Sequence, residues 1–143
     1  MNIFRALGVS ASGLAAQRTR MDVVAENLAN TDSTQTVSGG PYRRRLVTLA
    51  QSSDPAFAVT LRDATVPEGG VRVTGVTESR EPFRRVHQPD HPHAGPDGFV
   101  NMPNVNPVKE MVDMMLTTRA YEANATAFSA SKSMAARLLE LLR

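Results

Sequence analysis

The chain has 143 residues, 16 basic and 14 acidic side chains, and no cysteine or tryptophan. That length supports one ordinary domain, or a small module carried on a helical stalk. The lack of cysteine excludes disulfides, thiolate nucleophiles and Cys-ligated metals, and a formal charge of +2 falls short of the dense basic footprint that nucleic-acid binding needs.

From the N-terminus, Phe4, Leu7, Ala11, Leu14, Arg18, Met21, Ala25 and Leu28 recur at alternating steps of three and four, with only Arg18 out of character. The spacing predicts a helix over about Ile3–Leu28 whose stripe another helix must cover. Arg5, Gly8, Ser10, Ser12 and Gly13 break up the start, so no secretory signal peptide is expected. In Asn30-Thr31-Asp32-Ser33 the side chains compete for backbone hydrogen bonds and stop the helix. Residues 31–41 end in Gly39-Gly40-Pro41 and read as a linker or extended arm.

The middle changes texture. Tyr42–Leu49, Ala56–Leu61, Gly70–Thr77 and Phe83–His87 are short runs rich in β-branched or aromatic residues. Ser53-Asp54-Pro55, Pro67-Glu68-Gly69-Gly70 and Pro96-Asp97-Gly98 supply turns around them. Five prolines between Gln88 and Pro107 (Pro89, Pro92, Pro96, Pro103, Pro107) exclude helix there. His87, Asp90, His91 and His93 have the chemistry of metal ligands, but this stiff segment has no distant Cys or His to complete a site, and a packed or solvated turn is the preferred reading. Arg43-Arg44-Arg45 lacks a second basic stripe and reads as a solvated face or as salt-bridge partners rather than a nucleic-acid patch.

The last element begins with Asn106 as N-cap and Pro107 in the first turn, and its pattern predicts helix to about Leu142. Leu116, Ala120, Ala123, Ala127, Ala130, Met134, Leu138 and Leu141 form its stripe, which is expected to meet the N-terminal one. Met111, Met115, Tyr121 and Phe128 lie off that stripe and call for a second partner, a neighbouring chain. The resulting architecture is α+β. Helices in 1–30 and 107–143 pair as an antiparallel coiled-coil-like stalk, and 42–106 form a β-rich outer module with a proline-rich return.

No run approaches the ~20 apolar residues of a membrane span. No serine–histidine–acid set, phosphate-binding loop or carboxylate pair is present in the sequence, so an enzyme is not expected, nor a cofactor or metal.

Several strings resemble a known family. Ser10-Ala11-Ser12-Gly13-Leu14 leading to Met21-Asp22-Val23-Val24-Ala25-Glu26-Asn27-Leu28-Ala29-Asn30-Thr31 is similar to the N-terminal signature of bacterial flagellar rod and hook proteins. Gly70–Val76, Pro82-Phe83-Arg84, Asp97-Gly98-Phe99-Val100, Met102–Val108, Glu110–Met114 and Arg119-Ala120-Tyr121-Glu122-Ala123-Asn124 narrow the resemblance to a proximal-rod component. It implies a structural subunit of the basal-body rod in the periplasm, exported without a cleaved signal by the flagellar type III apparatus. Its partners would be proximal and distal rod subunits and the protein joining the rod base to the MS ring. The expected assembly interface comprises Leu7, Leu14, Met21 and Leu28 with Met111, Met115, Tyr121, Phe128, Met134, Leu138 and Leu141, and the amides and guanidinium of Asn27, Asn30, Arg119 and Asn124 either bridge subunits or serve as caps or solvent-facing groups. The competing reading is a stand-alone coiled-coil adaptor that forms discrete oligomers.

Overall fold

A computed structural model describes residues 3–37, 39–52 and 69–141. Helix α1 spans Ile3–Ala29 and α2 spans Pro107–Leu141, about 40 and 50 Å of rod. Between them lie β1 (Arg45–Gln51), β2 (Val71–Glu78), β3 (Arg84–His87) and β4 (Phe99–Met102). The architecture is α+β, with two long helices flanking a small β-rich centre.

The helix starts and stops follow local chemistry. Asn106 Oδ1 accepts from the backbone N–H groups of Val108 and Lys109 at 3.0 and 3.3 Å, capping α2 just ahead of Pro107. At the other boundary Asn30 donates back to the Glu26 carbonyl and accepts from the Ser33 hydroxyl, which closes the last turn of α1. Residues 31–41 connect α1 to the β-rich centre as a linker, not as an extended arm. Tyr42 N–H returns to the Ser33 carbonyl and Thr36 N–H to Gly40, so the segment folds into a closed loop whose reversal uses the positive φ of Gly39 and Gly40.

The four strands make two separate antiparallel pairs. β1 pairs with β2 from Arg45↔Glu78 to Gln51↔Val71, with a bulge at Thr48/Leu49, and β3 pairs with β4 from Arg84↔Met102 to His87↔Phe99. β4 was not expected. Its four residues sit among prolines and gain strand pairing only from β3. The expected strand at Ala56–Leu61 and the turn Ser53-Asp54-Pro55 lie outside the described residues, as does Leu142.

The helices run antiparallel: Asn27 meets Glu110, Met21 meets Thr118, and Gly13 meets Asn124. A Cβ on Gly13 would stand 3.0 Å from the Asn124 amide, so glycine there is what lets the two backbones come this close. The β1–β2 pair leans on α1, where Ser12 Oγ accepts from Val71 N–H at 3.1 Å. The core is small and sits at the foot of the helix pair. It combines Val23 and Val24 of α1 with Tyr42, Val100, Pro103 and Val105, and with buried Asn27, Glu110 and Thr117.

Candidate assembly interface

α2 has only α1 as a packed helix or strand neighbour among the described elements, so its burial shows which side faces inward. That side carries two rows at seven-residue spacing. One is polar: Glu110, Thr117, Asn124 and Ser131, of which all but half-buried Asn124 are buried. The other, Met114, Tyr121, Phe128 and Ala135, is half-buried. The expected seam is therefore turned away. Leu116, Ala123, Ala127, Ala130, Met134 and Leu138 are all exposed, and only Ala120 of that stripe is half-buried. Tyr121 and Phe128, expected to face a neighbour, face α1 instead. The two stripes are one residue apart, about 100° around a helix axis.

A buried polar network occupies the foot of the pair. Glu110 is 0% exposed, yet both carboxylate oxygens are used: Arg44 Nε donates to Oε1 at 2.6 Å and Asn27 Nδ2 to Oε2 at 3.0 Å. Arg44 also reaches Asp113 at 3.2 Å. Asn27, 1% exposed, donates its second amide hydrogen to the Arg45 carbonyl and accepts from the Tyr42 hydroxyl at 3.0 Å and from Arg45 N–H at 2.8 Å. Every hydrogen-bonding position of Asn27 is filled within the chain. Burial, followed by the nearby Glu26 carboxylate, holds the Tyr42 phenol above its ordinary value of 10.0.

The polar candidates for bridges between subunits are placed differently from one another. Asn27 has no free valence or surface for a neighbour, because the Tyr42–Arg45 segment lies across it. Asn124 donates to the Ala120 carbonyl and packs on Gly13, and Asn30 closes α1. Arg119 is exposed. Among the apolar candidates, Leu7, Leu14, Met21 and Leu28 are half-buried along α1, whereas Met111 and Met115 stand open on α2. The side chains of Phe4 and Leu141 lie outside the described residues.

The outward face of α2 is thus continuous. Val108, Met111, Val112, Met115 and Leu116 expose apolar side chains on its first turns, Ala123, Ala127 and Ala130 follow, and Met134 extends it. Burial along α2 ends at Ala135, and residues 136–140 are all exposed. An apolar face of this extent is far larger than scattered surface residues require. Small alanines in the centre allow a helix to approach closely, and larger side chains grip at both ends.

The remaining candidate chemistry is absorbed by packing. Arg43 stacks over the Phe83 ring at 4.2 Å and Arg45 pairs with Glu26 at 2.7 Å, so with Arg44 the three arginines have three separate partners inside the chain. His87 packs edge-on against Phe99, His91 Nδ1 accepts from His93 N–H, and His93 Nδ1 lies 2.8 Å from the Thr34 hydroxyl. Among the described residues no group of three His, Asp or Glu side chains is placed to hold a metal ion. No described helix is long and apolar enough to cross a membrane.

Comparison with known proteins agrees with the geometry. Residues 7–35 match the family model described as flagella basal body rod protein, and residues 97–141 match the C-terminal model of the flagellar basal body rod FlgEFG proteins. The flagellar basal-body rod protein FlgC of Bacillus subtilis is 46% identical, with 99% of each chain covered. FlgC of Salmonella typhimurium is 40% identical over 99% of this chain and 96% of its own, and that of Borreliella burgdorferi 38% over 100% and 99%. With both end helices and the strands between them covered by these alignments, the chain belongs to the FlgC family of flagellar basal-body rod proteins.

Proposed function

We propose that the chain is a structural, non-enzymatic subunit of the flagellar basal-body rod that polymerises through its terminal helices, transmits motor torque and surrounds the export channel. The carrying observation is the outward stripe of α2, Leu116, Ala123, Ala127, Ala130 and Met134, which keeps a seven-residue repeat and is not covered by any of the described residues. A stripe with that period fits another long helix, and the subunits that supply such helices are further copies or related proximal and distal rod proteins. The protein at the junction of rod base and MS ring and the type III export apparatus complete its partners. Its place is the periplasmic rod, with the terminal helices as the stalk and residues 42–106 as the outer module.

The helix pair alone buries little. Its larger apolar members, among them Leu14, Met21, Met114, Tyr121 and Phe128, are only half-buried and so contribute less than the 1.5–3 kcal/mol or so of a fully buried leucine or phenylalanine. Ordering backbone costs about 1–2 kcal/mol per residue, so neighbours must supply the remaining stabilisation.

Leu138→Asp tests this reading. Leu138 is 53% exposed and lies beyond the last buried position of α2, so the substitution leaves the unfolding midpoint of the purified chain within about 0.5 kcal/mol of the parent. In cells it abolishes rod assembly and swimming. Normal motility with Leu138→Asp contradicts the stripe as an assembly face, and a discrete dimer of purified protein that ignores rod partners favours the adaptor.

A further inference from the structure

We infer that the buried network of Asn27, Tyr42, Arg44 and Glu110 is a face selector: it fixes the rotation of α2 about its own axis, and so decides which of two competing stripes is spent on α1 and which stays available. The inference goes beyond the assembly reading. It rests on that reading only for the use made of the free stripe, not for the selection itself.

Two stripes on α2 can serve as a seam. The stripe that faces α1 includes the row Glu110, Thr117, Asn124 and Ser131, which is polar at every position. The stripe one residue away, with Leu116, Ala120, Ala123, Ala127, Ala130 and Met134, is apolar throughout. Hydrophobic burial by itself places no premium on the polar row. A rotation of about 100° would bury the alternative stripe against α1 and turn Met114, Tyr121 and Phe128 outward in its place.

The network opposes that rotation. Turning α2 by one residue swings Glu110 away from both of its donors. Arg44, whose side chain is 11% exposed, and the Asn27 amide then lose a charged acceptor in a site that Tyr42 and the Arg45 backbone keep closed. Buried donors without acceptors are disfavoured far more than a fully paired network is favoured, so one rotation is sharply selected. A buried polar group that fixes alignment at some expense in stability is a known use of such groups in helix pairs. Here four elements meet in it: α1 through Asn27, the segment before β1 through Tyr42 and Arg44, β1 through Arg45, and α2 through Glu110 and Asp113. The β-rich centre thereby sets the face that α2 turns to α1.

Leu116 and Thr117 report the rotation, because they are adjacent in sequence and differ only in the face they occupy. Leu116 is 56% exposed and Thr117 2%. The full chain has no cysteine, so Leu116→Cys and Thr117→Cys each create a single reactive thiol. In the otherwise unchanged chain, a maleimide probe reacts at least about tenfold faster at position 116, since a thiol at 117 must wait for local opening. With the network removed by Asn27→Leu, Arg44→Met and Glu110→Met together, the order inverts and position 117 becomes the faster. Glu110→Gln keeps the shape and removes the charge, and narrows the ratio without inverting it.

Retention of the parent order in the triple variant overturns the inference and leaves the choice of face to Tyr121 and Phe128. Equal, fast labelling at both positions in the triple variant also overturns it, since the network would then only hold the pair together. So would a ratio near one in the parent chain. Because the readout is taken on purified protein, failure of rod assembly in cells leaves the labelling result unaffected, and the two readings fail separately.

Discussion

Asn27 and Glu110 are separated by 83 residues in the chain, yet each completes the other's hydrogen bonds. Removing one member of such a set leaves its partners buried and unpaired. Glu110→Ala therefore costs about 3–5 kcal/mol, more than a surface change of the same size, and chemical denaturation of the full chain measures it. Tyr42 adds a pH signature. Its phenol is held above the ordinary value of 10.0, so the folded chain keeps that proton longer than the unfolded one. The contribution is whole below about pH 10 and is lost as pH climbs through the folded value. Denaturation midpoints from pH 9 upward should fall on this account, and Tyr42→Phe should flatten that fall; an unchanged slope in the variant would contradict it. Beyond the reading of the three arginines as a solvated face or salt-bridge partners, this network was not legible in sequence. A lone asparagine near a helix end reads as a cap or a bridge, and nothing local announces that an arginine and a glutamate from other segments will close over it.

At the scale of elements, the helices were legible and their mutual face was not. Caps and periodicity place α1 and α2 to within a residue or so, because those signals act over a single turn. The face of α2 depends on Glu110, a contact far away in sequence, while the longest apolar stripe pointed the other way. β4 escaped notice because Phe99–Met102 is only four residues long and its strand character comes from pairing with β3. The approach of α1 to α2 gives a prediction of its own. Gly13→Leu drives a side chain into the Asn124 amide, which already donates to Ala120 at 2.9 Å. We expect about 1–3 kcal/mol of destabilisation, with much of it recovered when Asn124→Ala is added. A double-mutant cycle with no coupling between positions 13 and 124 would contradict the close packing.

For the whole molecule, the two long helices pair and the β-rich centre is pinned to α1 and to the foot of the pair. The design separates two tasks. A seam anchored by the paired Asn27–Glu110 network, with Met114, Tyr121 and Phe128 half-buried beside its polar row, joins the helices inside the subunit, and an apolar stripe is left facing out. That division accounts for an α2 whose most buried members are glutamate, threonine and serine while leucines and methionines stand in solvent. It also fits the FlgC family, whose named members are rod proteins.

An electron-microscopy map of the basal body with this chain traced tests that division most directly. The account predicts Leu116, Ala123, Ala127, Ala130, Met134 and Leu138 in van der Waals contact with a neighbouring subunit's helix, and Glu110 still enclosed by Asn27 and Arg44. A rod in which those six side chains face open solvent, or in which α2 has turned them onto its own α1, would contradict it.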